Sequence, residues 1–354
     1  MNELDFGGWQ SWSYNTNSFF KLPQLNFNPR SNSKFVSKLK LNKLKKPAYG
    51  WCSWYAYGWD INEEKILKHA NWIFENKTIP LEYILIDGGW NLWGDWLEED
   101  YNKFPNGIKN TADKIKSLGL KPGIWIAPFL VHPKSNIATN HPEWLVKKDG
   151  KFVEGLRLTP FDKYLPYRKY ILDIKNSKVL SYIDHSIKYL VNTCGFELIK
   201  LDFLYGIYFN PNITSTEADN FLNNFLDKIK KNYPHVYTIA CGCPLLPAIG
   251  VVDSMRIGLD TSISPFLKFL SIPLLLRWYL NHRVIPTIVN RLWTQKFWNI
   301  DPNVFMCKKN LGLSPTLLIK FRSVIKLGKG NMFLGDDLTK LSNKRIKKIY
   351  LSLV

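Results

Sequence analysis

Cysteine is scarce in this chain, histidine is scattered and acid is outnumbered by base. Five cysteines, at positions 52, 194, 241, 243 and 307, are too few and too dispersed for a disulfide framework. Six histidines (69, 132, 141, 185, 235 and 282) form no H-E-x-x-H or related pattern. The close thiol pair, Cys241-Gly-Cys243, finds no further Cys or His cluster to complete a zinc site. No G-x-G-x-x-G follows any β-like run, so the dinucleotide-binding fingerprint is missing. The longest apolar zone, 266-FLKFLSIPLLLRWYL-280, is broken by Lys268, Pro273 and Arg277 and is too short to span a bilayer. The opening MNELDFGG lacks the apolar core of a secretory signal, so a cytoplasmic protein is expected.

The shortage of acid, 29 Asp and Glu against 48 Lys and Arg, leaves a formal charge of +19. Such a balance can serve nucleic acid. Here the basic residues are spread along the chain, with the densest runs at 38-KLKLNKLKK-46 and 340-KLSNKRIKK-348, and no nucleic-acid motif accompanies them. Solvated faces are the preferred reading.

What the chain has in abundance is aromatic surface, 15% of residues, with 14 tryptophans. Tryptophan suits cores and also stacks on flat rings such as sugars. Trp90, Trp93 and Trp96 crowd one stretch at a spacing of three. Two readings stay open there, one helical face of core or a stacking platform.

Eight β-like runs alternate with longer amphipathic ones. They are 49-YGWCSWY-55, 83-YILID-87, 122-PGIWIAPF-129, 197-ELIKLDF-203, 236-VYTIACG-242, 254-SMRIGLD-260, 304-VFMCK-308 and 330-GNMFLGDD-337. Helices are expected over 62–76, 109–119, 176–195 and 216–232, with Asn62 and Asn176 as caps and Gly119 and Gly195 as stops. Strands that are continuously apolar fit a parallel sheet covered on both faces. The alternation predicts an α/β fold, a (β/α)8 TIM barrel over residues 49–354 with an N-terminal extension over 1–48.

In such a barrel the C-terminal strand ends ring the active site. Asp87, Asp202, Asp260 and Asp336 all stand at strand ends and should converge there. Two carboxylates facing a sugar ring are the minimum equipment of a glycosidase. In 199-IKLDF-203, Lys200 shares strand parity with Asp202, and a nearby ammonium keeps a carboxylate ionised. In 256-RIGLD-260, Arg256 shares parity with Asp260. Read without further context, both could equally be strand-end ion pairs. Asp336 and Asp337 read as barrel-closing caps in preference to groups behind the site. His132, after the third strand, reads as a surface or core residue.

Taken together and in order, 50-GWCSWYAYGWDINEEKI-66, 85-LIDGGW-90, 121-KPGIWIAPF-129, 199-IKLDF-203, 240-ACGCP-244, 254-SMRIGLD-260, 300-IDPNVFM-306 and 332-MFLGDDLTKLS-342 resemble the catalytic barrel of glycoside hydrolase family 36, the α-galactosidases and raffinose-synthase type of the melibiase clan. The resemblance implies a retaining α-glycosidase that takes galactose from an oligosaccharide or glycoside, or transfers it. It places Asp202 as nucleophile and Asp260 as acid/base. It puts Asp87, Trp125, Lys200, Cys241 and Arg256 around the sugar, with Trp54 and Tyr55 nearby. No metal and no organic cofactor is implied. The carboxyl groups should stand roughly 5–5.5 Å apart, as retention requires. A non-catalytic sugar-binding barrel is the alternative. The expected partner is the sugar substrate; neither a membrane nor nucleic acid is expected, and a homo-oligomer is left open.

The chain also departs from the family. Where it has Asp87-Gly88, members usually show two aspartates, which grip O4 and O6 of galactose. The β-sandwich that precedes the barrel in many members and the β-domain that follows it have no counterpart in these 354 residues.

Overall fold

A computed structural model of the protein describes residues 44–156, 169–261, 277–306 and 315–342, with Lys344 and Ile346. Most of the expected extension, the apolar stretch over 266–276 and Cys307 lie outside the described residues.

The apolar runs form short parallel strands: β1 (Tyr49–Cys52), β2 (Tyr83–Ile86), β3 (Lys121–Ile126), β4 (Leu198–Leu201), β5 (Tyr237–Ala240), β6 (Ser254–Arg256), β7 (Asn299–Asp301), β8 (Val304–Phe305) and β9 (Met332–Leu334). From β1 to β7 each pairs in parallel with the next in sequence, while β8 pairs with β9 and β9 with β1. Only Pro302 and Asn303 separate β7 from β8, so the two ends of the sheet are halves of one stave. The ring therefore closes as a (β/α)8 barrel with its last-but-one stave broken. Pro302 has no N–H for a ladder, and Asn303 sits at φ 83° with its N–H turned back onto Asp301 Oδ1 at 2.8 Å.

Helices α1 (Glu63–Glu75), α2 (Gly107–Ser117), α3 (Ser177–Lys188), α4 (Ser215–Asn232) and α5 (Pro315–Gly328) cover the outside. The Asn62 side chain caps α1 by accepting from Lys65 N, and Asn176 caps α3 from Lys178 N. Gly119 and Gly195, at φ 74° and 73°, end their helices in the left-handed region as expected. The crossover between β5 and β6 holds just one short turn of helix, Leu245–Ala248.

Two features depart from the sequence reading. Between β3 and α3 the chain inserts a small antiparallel sheet of Leu130–Val131, Glu154–Leu156 and Lys169–Ile171, with a hairpin of Lys147–Lys148 and Lys151–Phe152. Trp90, Trp93 and Trp96 lie in turns, not on a helix, and all three are buried in the main core. They belong to the core, but turns and not a helical face bring them there. Trp90 donates to the Trp125 carbonyl at 2.8 Å, and the Trp93 ring packs 4.9 Å from Trp125.

No described helix is long and apolar enough to cross a membrane.

Candidate active site

Asp87 and Asp202 follow directly on β2 and β4, which the pairing places one strand apart, on either side of β3. Between the two carboxylates stands Lys200, whose Nζ lies 2.8 Å from Asp87 Oδ2 and 3.7 Å from Asp202 Oδ2. All three are buried. Burial opposes the charge on Lys200, but Asp87 and Asp202 outweigh it and hold its pKa well above the ordinary lysine value. The ammonium stays charged, so it can neutralise both neighbours.

Trp125, on β3, donates its indole N–H to Asp202 Oδ2 at 2.9 Å. The other oxygen, Oδ1, accepts from Phe203 N at 2.7 Å, and Phe203 itself adopts φ 54°. A phenylalanine in the left-handed region is strained, and this one directly follows the Asp202 carboxylate.

The second half of the site is built differently. Arg256, the last residue of β6, donates from a terminal guanidinium nitrogen to Asp260 Oδ1 at 2.8 Å. The shared strand parity expected for the two does not explain the contact, because the strand ends at Arg256. A bend over 257–259 carries Asp260 back, secured by Arg256 Nε on the Gly258 carbonyl at 2.9 Å. Burial opposes the Arg256 charge, yet Cys241, Asp260 and their neighbours raise its pKa. The Asp260 side chain is 37% exposed, against 7% for Asp202. One carboxylate is enclosed and one is open to solvent.

Cys241 lies between the halves. Its thiol interacts with Asp202, Lys200 and Arg256, and burial followed by the Asp202 charge pushes its pKa up. It remains a protonated donor. Cys243 instead gives its S–H to the Pro244 carbonyl. Among the described residues no three His, Cys, Asp or Glu side chains are grouped to hold a metal ion.

Trp54 and Tyr55, adjacent in sequence, go to opposite ends. Trp54 stands edge-on to Trp59 near Gly88. The Tyr55 hydroxyl accepts from Asn303 Nδ2 at 2.6 Å and from Thr261 N at 3.3 Å. Asp336 is buried after β9, where its carbonyl accepts from Trp51 Nε1. Asp337 caps the turn that follows, accepting from Thr339 N, and the Leu338 N–H beside it donates to His69 Nε2 at 3.2 Å. His132 takes the Lys134 N–H within its own turn.

Three participants escaped the sequence reading. Cys52, on β1, lies 3.4 Å from Asp87 Oδ2. Trp59 closes over Gly88. Asn303 reaches Asp260 Oδ1 at 3.4 Å from the break between β7 and β8. The position of Cys52 in an apolar run ending beside Trp54 was the one available sign; the other two depend on turns that local pattern does not disclose.

Comparison with known proteins now adds to this geometry. The melibiase family model matches residues 23–244, more than half of the chain. The α-galactosidase AgaA of Geobacillus stearothermophilus is 25% identical over 206 residues, covering 53% of this chain and 26% of its own. A protein described as probable α-galactosidase B of Talaromyces emersonii is 46% identical over 89 residues, covering 23% of this chain and 20% of its own. The chain thus spans about a quarter of the length of these curated relatives. Among solved structures, the α-galactosidase TtGalA of Thermus thermophilus, in complex with p-nitrophenyl α-D-galactopyranoside, superposes with a TM-score of 0.73. That match covers 90% of this chain and 64% of the other at 23% identity, and it supports the barrel fold.

Proposed function

The chain belongs to the melibiase family, and from that premise we propose that it is a retaining α-glycosidase of the α-galactosidase type, acting on the terminal α-linked sugar of an oligosaccharide or glycoside. The observation that carries this reading is the pair Asp202 and Asp260, each tied to its own buried cation and separated by the Cys241 thiol. Two carboxylates in unlike surroundings suit two unlike roles.

In this reading Asp202 is the nucleophile. The Lys200 ammonium faces it and the Trp125 N–H aims it. Asp260, the more open carboxyl, is the acid/base. Protonated, it gives its proton to the glycosidic oxygen as an Asp202 oxygen bonds to C1 and the leaving alcohol departs. The covalent glycosyl ester that results is then attacked at C1 by water, whose proton goes to Asp260, and Asp202 is released as carboxylate. Two inversions leave the configuration retained. Asp87, held by Lys200 and Cys52, would accept hydrogen bonds from sugar hydroxyls. Trp54 and Trp125 offer apolar ring faces beside it, and Arg256, with Tyr55 behind, sets the acid/base. The relatives named as α-galactosidases and the TtGalA complex with stachyose support galactose as the first sugar to try.

The test is hydrolysis of p-nitrophenyl α-galactoside within a panel of aryl α-glycosides. Wild type should turn over at least one of them. Asp202→Ala should lower kcat by about a thousandfold or more, the scale on which losing a covalent nucleophile is felt. A folded wild type that cleaves nothing in the panel would falsify the reading. Transfer to added methanol would identify the transglycosylase variant of it.

A further inference from the structure

The broken stave between β7 and β8 delivers one side chain to the candidate acid/base. Asn303, buried at φ 83°, occupies a backbone region that asparagine tolerates better than most residues. Its Oδ1 accepts from Val304 N at 2.7 Å, which fixes the amide plane. The two N–H groups of the amide are then shared among three acceptors: the Tyr55 hydroxyl at 2.6 Å, the Leu259 carbonyl at 3.3 Å and Asp260 Oδ1 at 3.4 Å. The bend that carries Asp260 is pressed against the same break. A Cβ on Gly258 would lie 2.5 Å from the Pro302 carbonyl oxygen.

The Tyr55 hydroxyl already accepts from Asn303 and from Thr261 N. Its own proton is thereby directed elsewhere, and Asp260 is its neighbour: after burial, the Asp260 charge is the main influence raising the Tyr55 pKa. Arg256 and Asn303 both address Oδ1 of Asp260. An oxygen that accepts from two donors is a poor site for a proton, so the exchangeable proton belongs on Oδ2.

We propose that Asn303 is a positioning residue for proton transfer, using Tyr55 and the Leu259 carbonyl to hold Asp260 with its proton on Oδ2. This rests on the reading of Asp260 as acid/base. The role differs from general support of the fold because, in the step that forms the glycosyl-enzyme, it concerns protonation of the leaving group alone. A leaving group that departs as a stable anion needs little such help, whereas an alkoxide or sugar needs nearly all of it.

The experiment compares two substrates of one sugar, a 2,4-dinitrophenyl α-glycoside and an alkyl or oligosaccharide α-glycoside, in wild type, Asn303→Gly and Tyr55→Phe. Asn303→Gly keeps the left-handed backbone and removes the amide. The positioning role requires kcat/KM on the alkyl substrate, which reports the first step, to fall by about 10–100-fold, part of the usual gain from general acid catalysis, and kcat/KM on the dinitrophenyl substrate to fall by less than about threefold. Tyr55→Phe should move the same ratio in the same direction. Proportional losses on both substrates would show a merely structural role and overturn the proposal. If Asn303→Gly does not fold, Tyr55→Phe decides: a selective loss supports the role and an even loss ends it. A folded wild type that cleaves neither substrate overturns the glycosidase reading itself, and the positioning role with it.

Discussion

At position 88 the smallest side chain faces three of the largest. A Cβ built on Gly88 would meet Trp59 at 3.3 Å and both Trp125 and Trp54 at 3.6 Å. Only the first is tight, the other two are ordinary contacts, and all are with ring atoms, not with backbone, so a side chain there is crowded without being forbidden. The corner beside Asp87 is therefore apolar where family members set a second carboxylate. Gly88→Asp would add an acceptor close to Asp87 and within the field of Lys200, whose single charge already answers Asp87 and Asp202. Crowding of this kind costs about 1–3 kcal/mol in a packed core. The expected outcome is a lower melting temperature together with a preference among aryl α-glycosides moved about tenfold or more toward galactoside. Competition assays on the panel would read it, and an unchanged ranking in a folded variant would remove Gly88 as the specificity position.

At the scale of elements, charge as well as packing joins α1 to α2. Glu63, in the first turn of α1, is buried and accepts from Lys114 Nζ at 2.7 Å and from Asn106 Nδ2 at 3.2 Å. Burial works against its ionisation, but Lys114 and Asn106 prevail and lower its pKa from the ordinary 4.5. The folded state thus holds the proton less tightly than the unfolded chain does. The stabilisation is complete above the ordinary value and is lost as pH falls through the lowered one. Glu63→Gln should cost about 1.5 kcal/mol at neutral pH, the lower end of the range for a hydrogen bond to a charged group, because Lys114 is half exposed. The deficit should shrink in urea unfolding below about pH 4; a deficit independent of pH would exclude the ionic explanation. Other elements differed in how plainly the sequence announced them. Staves that are apolar runs ending in a carboxylate, such as Tyr83–Asp87 and Leu198–Asp202, were legible, as were the caps Asn62 and Asn176. Asn299–Asp301 was not, because two polar residues flank Ile300 and Pro302 interrupts the run; the reading found only the half that begins at Val304. The inserted sheet over 130–171 escaped for a related reason, since strands of two or three residues carry no period to detect. Arg256 and Asp260 were paired correctly on the wrong ground: a bend, not strand parity, brings them together. Thr214, which ends an N-x-T glycosylation pattern, works in the structure as the N-cap of α4 in a capping box with Glu217.

For the whole molecule, the barrel keeps its chemistry and its closure at opposite ends. At the end where the staves begin, Asn331 accepts from Ala48 N at 3.1 Å and from the Tyr237 hydroxyl at 2.7 Å, and it donates to Ser254 Oγ at 2.9 Å. Ser254 passes its hydroxyl proton to the Asn299 carbonyl, and Asn299 donates to Tyr237 and to the Lys45 carbonyl. One buried network thus ties β5, β6 and β7 to the residues that lead into β1 and β9. It also anchors residues 45–48, on the extension side of the expected boundary at 48. Asn331→Ala would leave the Ala48 N–H and the Tyr237 hydroxyl without their acceptor in a buried setting. Such a loss costs about 1–3 kcal/mol for each stranded group, so the melting temperature should fall by several degrees. The site aspartates stand at or beyond the opposite ends of the strands, where barrel enzymes place their chemistry, and conservation of function there does not require this network. At a temperature where the variant is fully folded, kcat and KM on the best aryl α-glycoside should therefore stay within about twofold of wild type, well short of the hundredfold that displacing a catalytic group by 1 Å can cost. If Asn331→Ala lowered kcat by an order of magnitude while still folded, the two ends of the barrel would be coupled, and the separation argued from the geometry would be wrong.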